Sequence, residues 1–150
     1  MGQLVSKMID EATLSLAQQD TELAARVIAA DDLIDQLLIQ VETQSLQLIA
    51  LQQPMARDLR ALGTSLKLVT DLERMADHAT DIAEVTLRLA GEPLIKPLVD
   101  IPHMARLAQE MTRDALDAFV RGDEAAARAM IARDDEIDRL FRNLFDELVE

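Results

Sequence analysis

Residues 52–84 read QQPMARDLRALGTSLKLVTDLERMADHATDIAE, and their apolar positions decide the fold class. Leu59, Leu62, Leu66, Val69, Leu72, Ala76, Ala79 and Ala83 follow one another in steps of three and four. That is the spacing of a helix laying one stripe into the seam of a bundle. Pro54 is expected to start this helix, and Gly91, Glu92 and Pro93 to stop it. Upstream, Asp20 and Thr21 divide a first helix from a second, which runs through Leu23, Val27, Ile34, Leu37, Val41, Leu48 and Leu51 to Pro54. Downstream, residues 91–102 hold three of the 4 prolines and form the one credible linker. A fourth helix follows to about Arg121, Gly122 and Asp123 close the gap, and a fifth runs from Glu124 onward.

Composition agrees with an all-α fold. The 150 residues include 3 Phe, no Trp or Tyr, 4 Gly and 4 Pro, too few turn formers for a sandwich or barrel. There is no cysteine, hence no disulfide framework, thiolate metal site or thiol nucleophile. No stretch is long and apolar enough to be read as a membrane span. The net charge of −13 repels nucleic-acid phosphates and anionic lipid headgroups, and the sequence shows no local basic patch to offset it.

The chain also repeats itself. A shift of 103 residues superposes Asp20 on Asp123, Ala24 on Ala127, Ile28 on Ile131, Asp31 on Asp134, Asp32 on Asp135, Ile34 on Ile137 and Asp35 on Asp138. Residues 1–91 are expected to form one antiparallel three-helix unit, 92–101 a linker, and 102–150 the first two helices of a second unit that is incomplete here. The chain therefore reads as a fragment whose second seam, Ile131, Ile137, Leu140 and Leu144, is left open for self-association.

Acidic residues supply the candidate chemistry. Asp31 with Asp35, Glu73 with Asp77, Asp77 with Asp81, and Asp134 with Asp138 each stand one helical turn apart. Acidic pairs at this spacing are about as frequent as the composition gives, so their number alone means only a solvated face. Two details carry more weight: the Asp, Asp, x, x, Asp cluster returns in both halves at the same register, and two acids occupy seam positions. Asp31 lies between Val27 and Ile34, and Glu73 between Val69 and Ala76. Carboxylates at a seam suffer desolvation and mutual repulsion unless a cation offsets both. The only basic residue inside either pair is Arg74, expected to point away. An oxygen-only donor set from two facing helices suits Mg, Mn, Fe or Ca better than a structural zinc.

Enzyme readings are weaker. A diiron bundle would need a histidine three residues after Glu73, where Ala76 stands. A phosphotransfer histidine would want a neighbouring lysine, which His78 lacks, and His78 is better read as a surface or capping residue. No Ser/His/Asp set or Gly-rich phosphate loop occurs.

Residues 52–84 resemble the central segment of PhoU proteins. The resemblance rests on Pro54, Ala56, Asp58, Leu59 and Arg60, then Lys67, then Asp71, Leu72, Glu73, Arg74 and Asp77. It implies two three-helix repeats and a metal set in which Asp31, Asp35, Glu73 and Asp77 form one site. Asp134 and Asp138 would be half of a second, and Asp81 a third acid where an amide is usual. The metal would be Fe, Mn, Mg or Zn. Ala76 stands where glycine is usual. The resemblance further implies a non-enzymatic cytoplasmic regulator of phosphate uptake, peripheral at the inner membrane and a homodimer. It would link the ATPase subunit of a phosphate ABC transporter to a sensor histidine kinase and restrain the phosphate-starvation response. The alternatives are a plain interaction bundle, or a regulator of a sodium–phosphate transporter, without a metal site.

Overall fold

In the computed structural model, which describes residues 1–149, five helices follow in chain order: α1 (Gly2–Gln18), α2 (Thr21–Gln52), α3 (Arg57–Arg88), α4 (Asp100–Arg121) and α5 (Glu124–Val149). There is no strand among the described residues. The first three helices pack on one another, α4 packs on α1, and α5 packs as a helix on α4 alone.

The core lies where α1, α2 and α3 meet. α1 contributes Val5, Met8 and Ala12, α2 contributes Ala24, Val27 and Ile34, and α3 contributes Leu72, Ala76, Ala79 and Ala83. The three alanines let α3 approach closely, and Ala76 is wholly buried, so a small residue there is a packing requirement. Two polar contacts fix the register of α1 on α3. The Ser15 hydroxyl donates to the Ala12 carbonyl and lies 3.2 Å from the Thr86 hydroxyl, while Gln19 Nε2 donates to the carbonyls of Leu89 and Glu92.

The helices differ in length, and this corrects part of the expected seam. α1 has 17 residues and α2 and α3 have 32 each, about 25 Å against about 48 Å at 1.5 Å per residue. The far half of the α2–α3 hairpin therefore extends past α1 as a two-helix arm. Leu62 and Leu66 are only half-buried there and Leu59 is exposed, although all three share the stripe of Val69 and Leu72. α3 also starts at Arg57, not at Pro54: the chain turns over residues 53–56, with Gln53 and Ala56 at positive φ. The backbone before a proline disfavours a right-handed helix, so α2 ends at Gln52 instead of reaching Pro54.

The internal repeat holds hydrogen bond for hydrogen bond at the first turn of each half. Asp20 caps α2 by accepting from the Leu23 amide, and Asp123 accepts from the Ala126 amide in the same way. The Asp20 and Asp123 amides donate back to the Ser15 and Ala118 carbonyls, and Gln19 and Gly122 both take the left-handed conformation between the helices. The segment between α3 and α4 is tied to its neighbours by Lys96, which bridges Glu147 of α5 at 2.6 Å and Asp100 at 3.5 Å.

On α5 the open face is not the expected one. Ile137, Leu140 and Leu144 are half-buried, whereas Ile131, Phe141, Phe145 and Leu148 are exposed. Shifted back by 103 residues, these exposed positions are Ile28, Leu38, Glu42 and Ser45, the half-buried or buried face of α2. Of the seam expected to be open, Ile131 is exposed, while Ile137, Leu140 and Leu144 turn toward α4. The rings of Phe141 and Phe145 stack on each other, centroids 6.4 Å apart, in the absence of any other described cover.

Two outcomes are expected. Asp20→Ala removes a cap and lowers stability by about 1 kcal/mol, measured by thermal denaturation; an unchanged midpoint would contradict the capping role. Light scattering should show self-association at high concentration that Phe141→Glu with Phe145→Glu abolishes, and an association untouched by that pair would place the contact elsewhere.

Candidate functional site

The seam between α2 and α3 carries acid where a bundle normally carries leucine. Val27 and Ile34 are both fully buried, so the position between them points into the same interface, and Asp31 occupies it. Across the seam, Glu73 sits half-buried between buried Val69 and Ala76. Asp35 and Asp77, one turn along from each, are exposed at the edge of the contact.

Asp31 and Glu73 sense the charges around them. Asp31 is pushed above the usual carboxylate range chiefly by burial, then by the charges of Asp77 and Asp35, while the Thr80 hydroxyl beside it acts in the opposite direction. Glu73 is raised by burial first and then by Asp77, Asp35 and Asp31, with Arg74 offsetting a little. Asp31 Oδ1 and Thr80 Oγ1 are both buried and adjoin each other, near enough for the hydroxyl to lower the Asp31 carboxyl, yet no hydrogen bond of regular geometry joins them or reaches either atom from elsewhere among the described residues. A buried carboxylate oxygen in this state, surrounded by like charge, is costly to keep ionised.

The groove is a cavity of about 310 Å³ lined by Asp31, Arg74, Asp77, His78, Thr80 and Asp81. Arg74, expected to point away, stands at its rim while also approaching Asp71 at 3.9 Å. Asp81 lines the groove too, but its carboxylate lies 3.5 Å from His78 Nδ1, and both side chains are exposed. Among the described residues, no three potential ligand side chains stand close enough to hold an ion as the side chains are placed.

The fold thus brings Asp31, Asp35, Glu73 and Asp77 into one electrostatic cluster, with Asp81 at its rim. Asp134 and Asp138 are not part of it. They are exposed on α5, on the stripe that also carries Phe141 and Phe145, over which no described element packs. Their neighbour Arg133 turns the other way and ties α5 to α4, donating to Asp114 at 2.6 Å and Glu110 at 3.2 Å. Thr80 is the residue that sequence reasoning passed over. It follows Asp77 by three and Glu73 by seven, which places it on the acidic face, and its hydroxyl brings a neutral oxygen to Asp31.

The chain is similar to known proteins along nearly its whole length. The family model described as "PhoU domain" matches residues 1–86 and residues 101–150. The "Phosphate-specific transport system accessory protein PhoU homolog" of Aquifex aeolicus is 43% identical over 149 residues, covering 99% of this chain and 67% of that protein. Its counterpart in Clostridium acetobutylicum is 39% identical, with 99% and 68% covered. The crystal structure of PhoU from Pseudomonas aeruginosa superposes with a TM-score of 0.92 at 34% identity, covering 99% of this chain and 72% of that one. That of the phosphate transport system regulatory protein PhoU from Streptococcus pneumoniae gives 0.90 at 32%, covering 99% and 70%.

The raised carboxyls of Asp31 and Glu73 set the sign of a pH dependence. In chelator, the folded chain holds these protons more tightly than the unfolded one. Its stability should therefore rise as pH falls from neutrality through the raised values toward the unfolded carboxylate value of about 4. Asp31→Asn should flatten that rise in thermal melts. A stability that only falls with acid across this window, identically in both proteins, would contradict the coupling.

Proposed function

The chain belongs to the PhoU family, and from that premise we propose that this phosphate-transport accessory protein is a non-enzymatic regulator whose helix faces are set by a bound cation. The family membership makes it a regulator of the phosphate transport system type. The finer reading is that it docks on the ATPase subunit of a phosphate ABC transporter and on a sensor histidine kinase, works as a homodimer at the cytoplasmic face of the membrane, and restrains the phosphate-starvation response. Among the described residues no helix is long and apolar enough to cross a membrane, which suits attachment through partners.

The observation that carries the cation reading is Asp31 Oδ1, buried without a partner at a seam of like charges. Asp31, Asp35, Glu73 and Asp77 would hold the ion, with Thr80 adjoining and Asp81 at the rim. The donors are all oxygen, which favours Mg, Mn or Fe over a structural zinc. Bound there, the ion supplies the positive charge that four carboxyls need beyond the one rim arginine, Arg74, and so holds α2 against α3. Asp134 and Asp138 would serve a second site of the same kind. The plain interaction bundle remains the competing reading, favoured by the absence among the described residues of three convergent ligands.

Thermal melts separate the two. If a cation binds, the wild type gains about 2.7 kcal/mol at a hundredfold excess of Mn over its dissociation constant, and Asp31→Asn with Asp35→Asn gains nothing. If the acids only repel, the double variant is more stable than the wild type by a few tenths of a kcal/mol, about 0.3, and neither responds to metal. Pull-downs of wild type and double variant against the transporter ATPase subunit and the kinase then test whether the cation shapes docking.

A further inference from the structure

The arm of the α2–α3 hairpin has a composition unlike the rest of the molecule. Residues 43–56, TQSLQLIALQQPMA, hold no charged residue, the longest such run in a chain that is 29% charged. They form the end of α2 and the turn into α3. Leu51 is 78% exposed and Met55 81%, and Leu46, Leu48 and, on α3, Leu59 are exposed as well.

The exposed residues do not form one stripe. Ser45 is buried and marks the side of α2 that faces α3. Leu46 and Leu48 emerge on opposite flanks of that side, ~160° apart at 3.6 residues per turn. A protein groove reads one face of a helix, at i, i+3, i+4 and i+7. An uncharged end whose exposed leucines stand on both flanks, with glutamines between them, suits a medium that surrounds it.

Charge points to the kind of medium. Arg57, Arg60 and Lys67 follow the apolar end along α3, all exposed, and among the described residues none is in an ion pair. With Asp58 as the only acid, residues 43–70 carry a net charge of +2 in a chain of −13. Arg57 reaches toward Gly122 in the turn between α4 and α5, where Arg121, Asp123, Glu124 and Arg128 cancel. The acids next along the arm, Glu42 and Asp71, stand ~15–21 Å from the helix ends by helix rise, beyond the ~8 Å over which charges are felt at physiological salt. The overall charge therefore does not forbid contact with an anionic surface here. Reading net charge alone missed this because the three cations are spaced along a helix instead of clustered in the sequence.

We propose that the end of the α2–α3 hairpin is a membrane-interface anchor. Leu48, Leu51 and Met55 would enter the boundary between headgroups and acyl chains of an anionic bilayer, with Arg57 reaching up from the start of α3 and Asp58, Leu59, Arg60 and Lys67 at headgroup level, the cations at the lipid phosphates. Four helical residues separate Leu48 from the turn, ~6 Å of rise, which lies within the ~5–10 Å depth to which interfacial elements bury. The glutamines between them, Gln44, Gln47, Gln52 and Gln53, carry no charge to be desolvated at headgroup level.

Flotation with vesicles tests this on the full chain. Vesicles of phosphatidylglycerol and phosphatidylethanolamine should carry the wild type upward, and vesicles of phosphatidylcholine alone should carry much less. Raising the salt should weaken the binding. Leu51→Glu with Met55→Glu should reduce it about tenfold or more, with the circular-dichroism melt unchanged because both side chains are exposed. Arg60→Gln with Lys67→Gln should reduce it on anionic vesicles only. Asp31→Asn with Asp35→Asn should float as the wild type does, which keeps this result separate from that of the acidic groove. No flotation of the wild type, equal flotation on neutral vesicles, or flotation undiminished by the leucine–methionine pair would each overturn the anchor. Loss of a transporter complex in that pair, without vesicle binding by the wild type, would overturn it in favour of a protein socket.

Discussion

Asp31 sits one turn after Val27 and three residues before Ile34, and both of those side chains are fully buried. A helix cannot present its core face without presenting what lies between, so packing α2 on α3 drives a carboxyl into the seam. α3 does the same with Glu73 from its side. The hydrophobic contact that builds the bundle and the repulsion that opposes it are thus one event. The alanines at 76, 79 and 83 bring the backbones close, which sharpens both. Without a compensating charge the two raised carboxyls weaken the seam at neutral pH; with a cation, the same four oxygen-bearing side chains become a clamp.

The length of α1 decides where this happens. Its 17 residues cover half of each longer helix, and the acids lie within the covered half. Beyond it no third helix packs on α2 and α3, acids give way to uncharged residues and a few cations, and their apolar residues reach the surface. One pair of helices therefore serves two environments: an acidic groove backed by a core, and a neutral, leucine-bearing end with cations behind it. α5 repeats the beginning of α2 with Asp134 and Asp138 at the same register, but its equivalent face is covered by nothing described, which is why Phe141 and Phe145 stack on each other in the open.

Much of this was legible in the sequence because helical periodicity and caps are local. The five helices, the turns at Asp20 and Asp123, and the repeat between the halves all follow from spacing within a few turns. Asp31 and Glu73 stood out because their neighbours at four and three residues are apolar. The failures come from quantities a single helix does not contain. Leu59 shares the seam spacing of Val69 yet lies exposed, because the length of α1 decides where the seam ends. Ile137 and Leu144 were read as open, though α4 chooses which apolar stripe of α5 is used. Thr80 went unnoticed since a hydroxyl on an acidic face matters only once the facing helix brings Asp31 to it. The end of the hairpin was missed because its signal is an absence of charge.

The central claim is that the seam acids are held by a cation, and Mn(II) titration followed by electron paramagnetic resonance tests it most directly. Aqueous Mn(II) gives a signal that binding to carboxylate oxygens broadens away. The account predicts a saturable loss of that signal with the metal-free wild type, abolished by Glu73→Gln with Asp77→Asn and competed by Mg or Fe(II). A signal that stays at the free-ion level through a full titration of the folded wild type, or a loss that the variant shares unchanged, would contradict it.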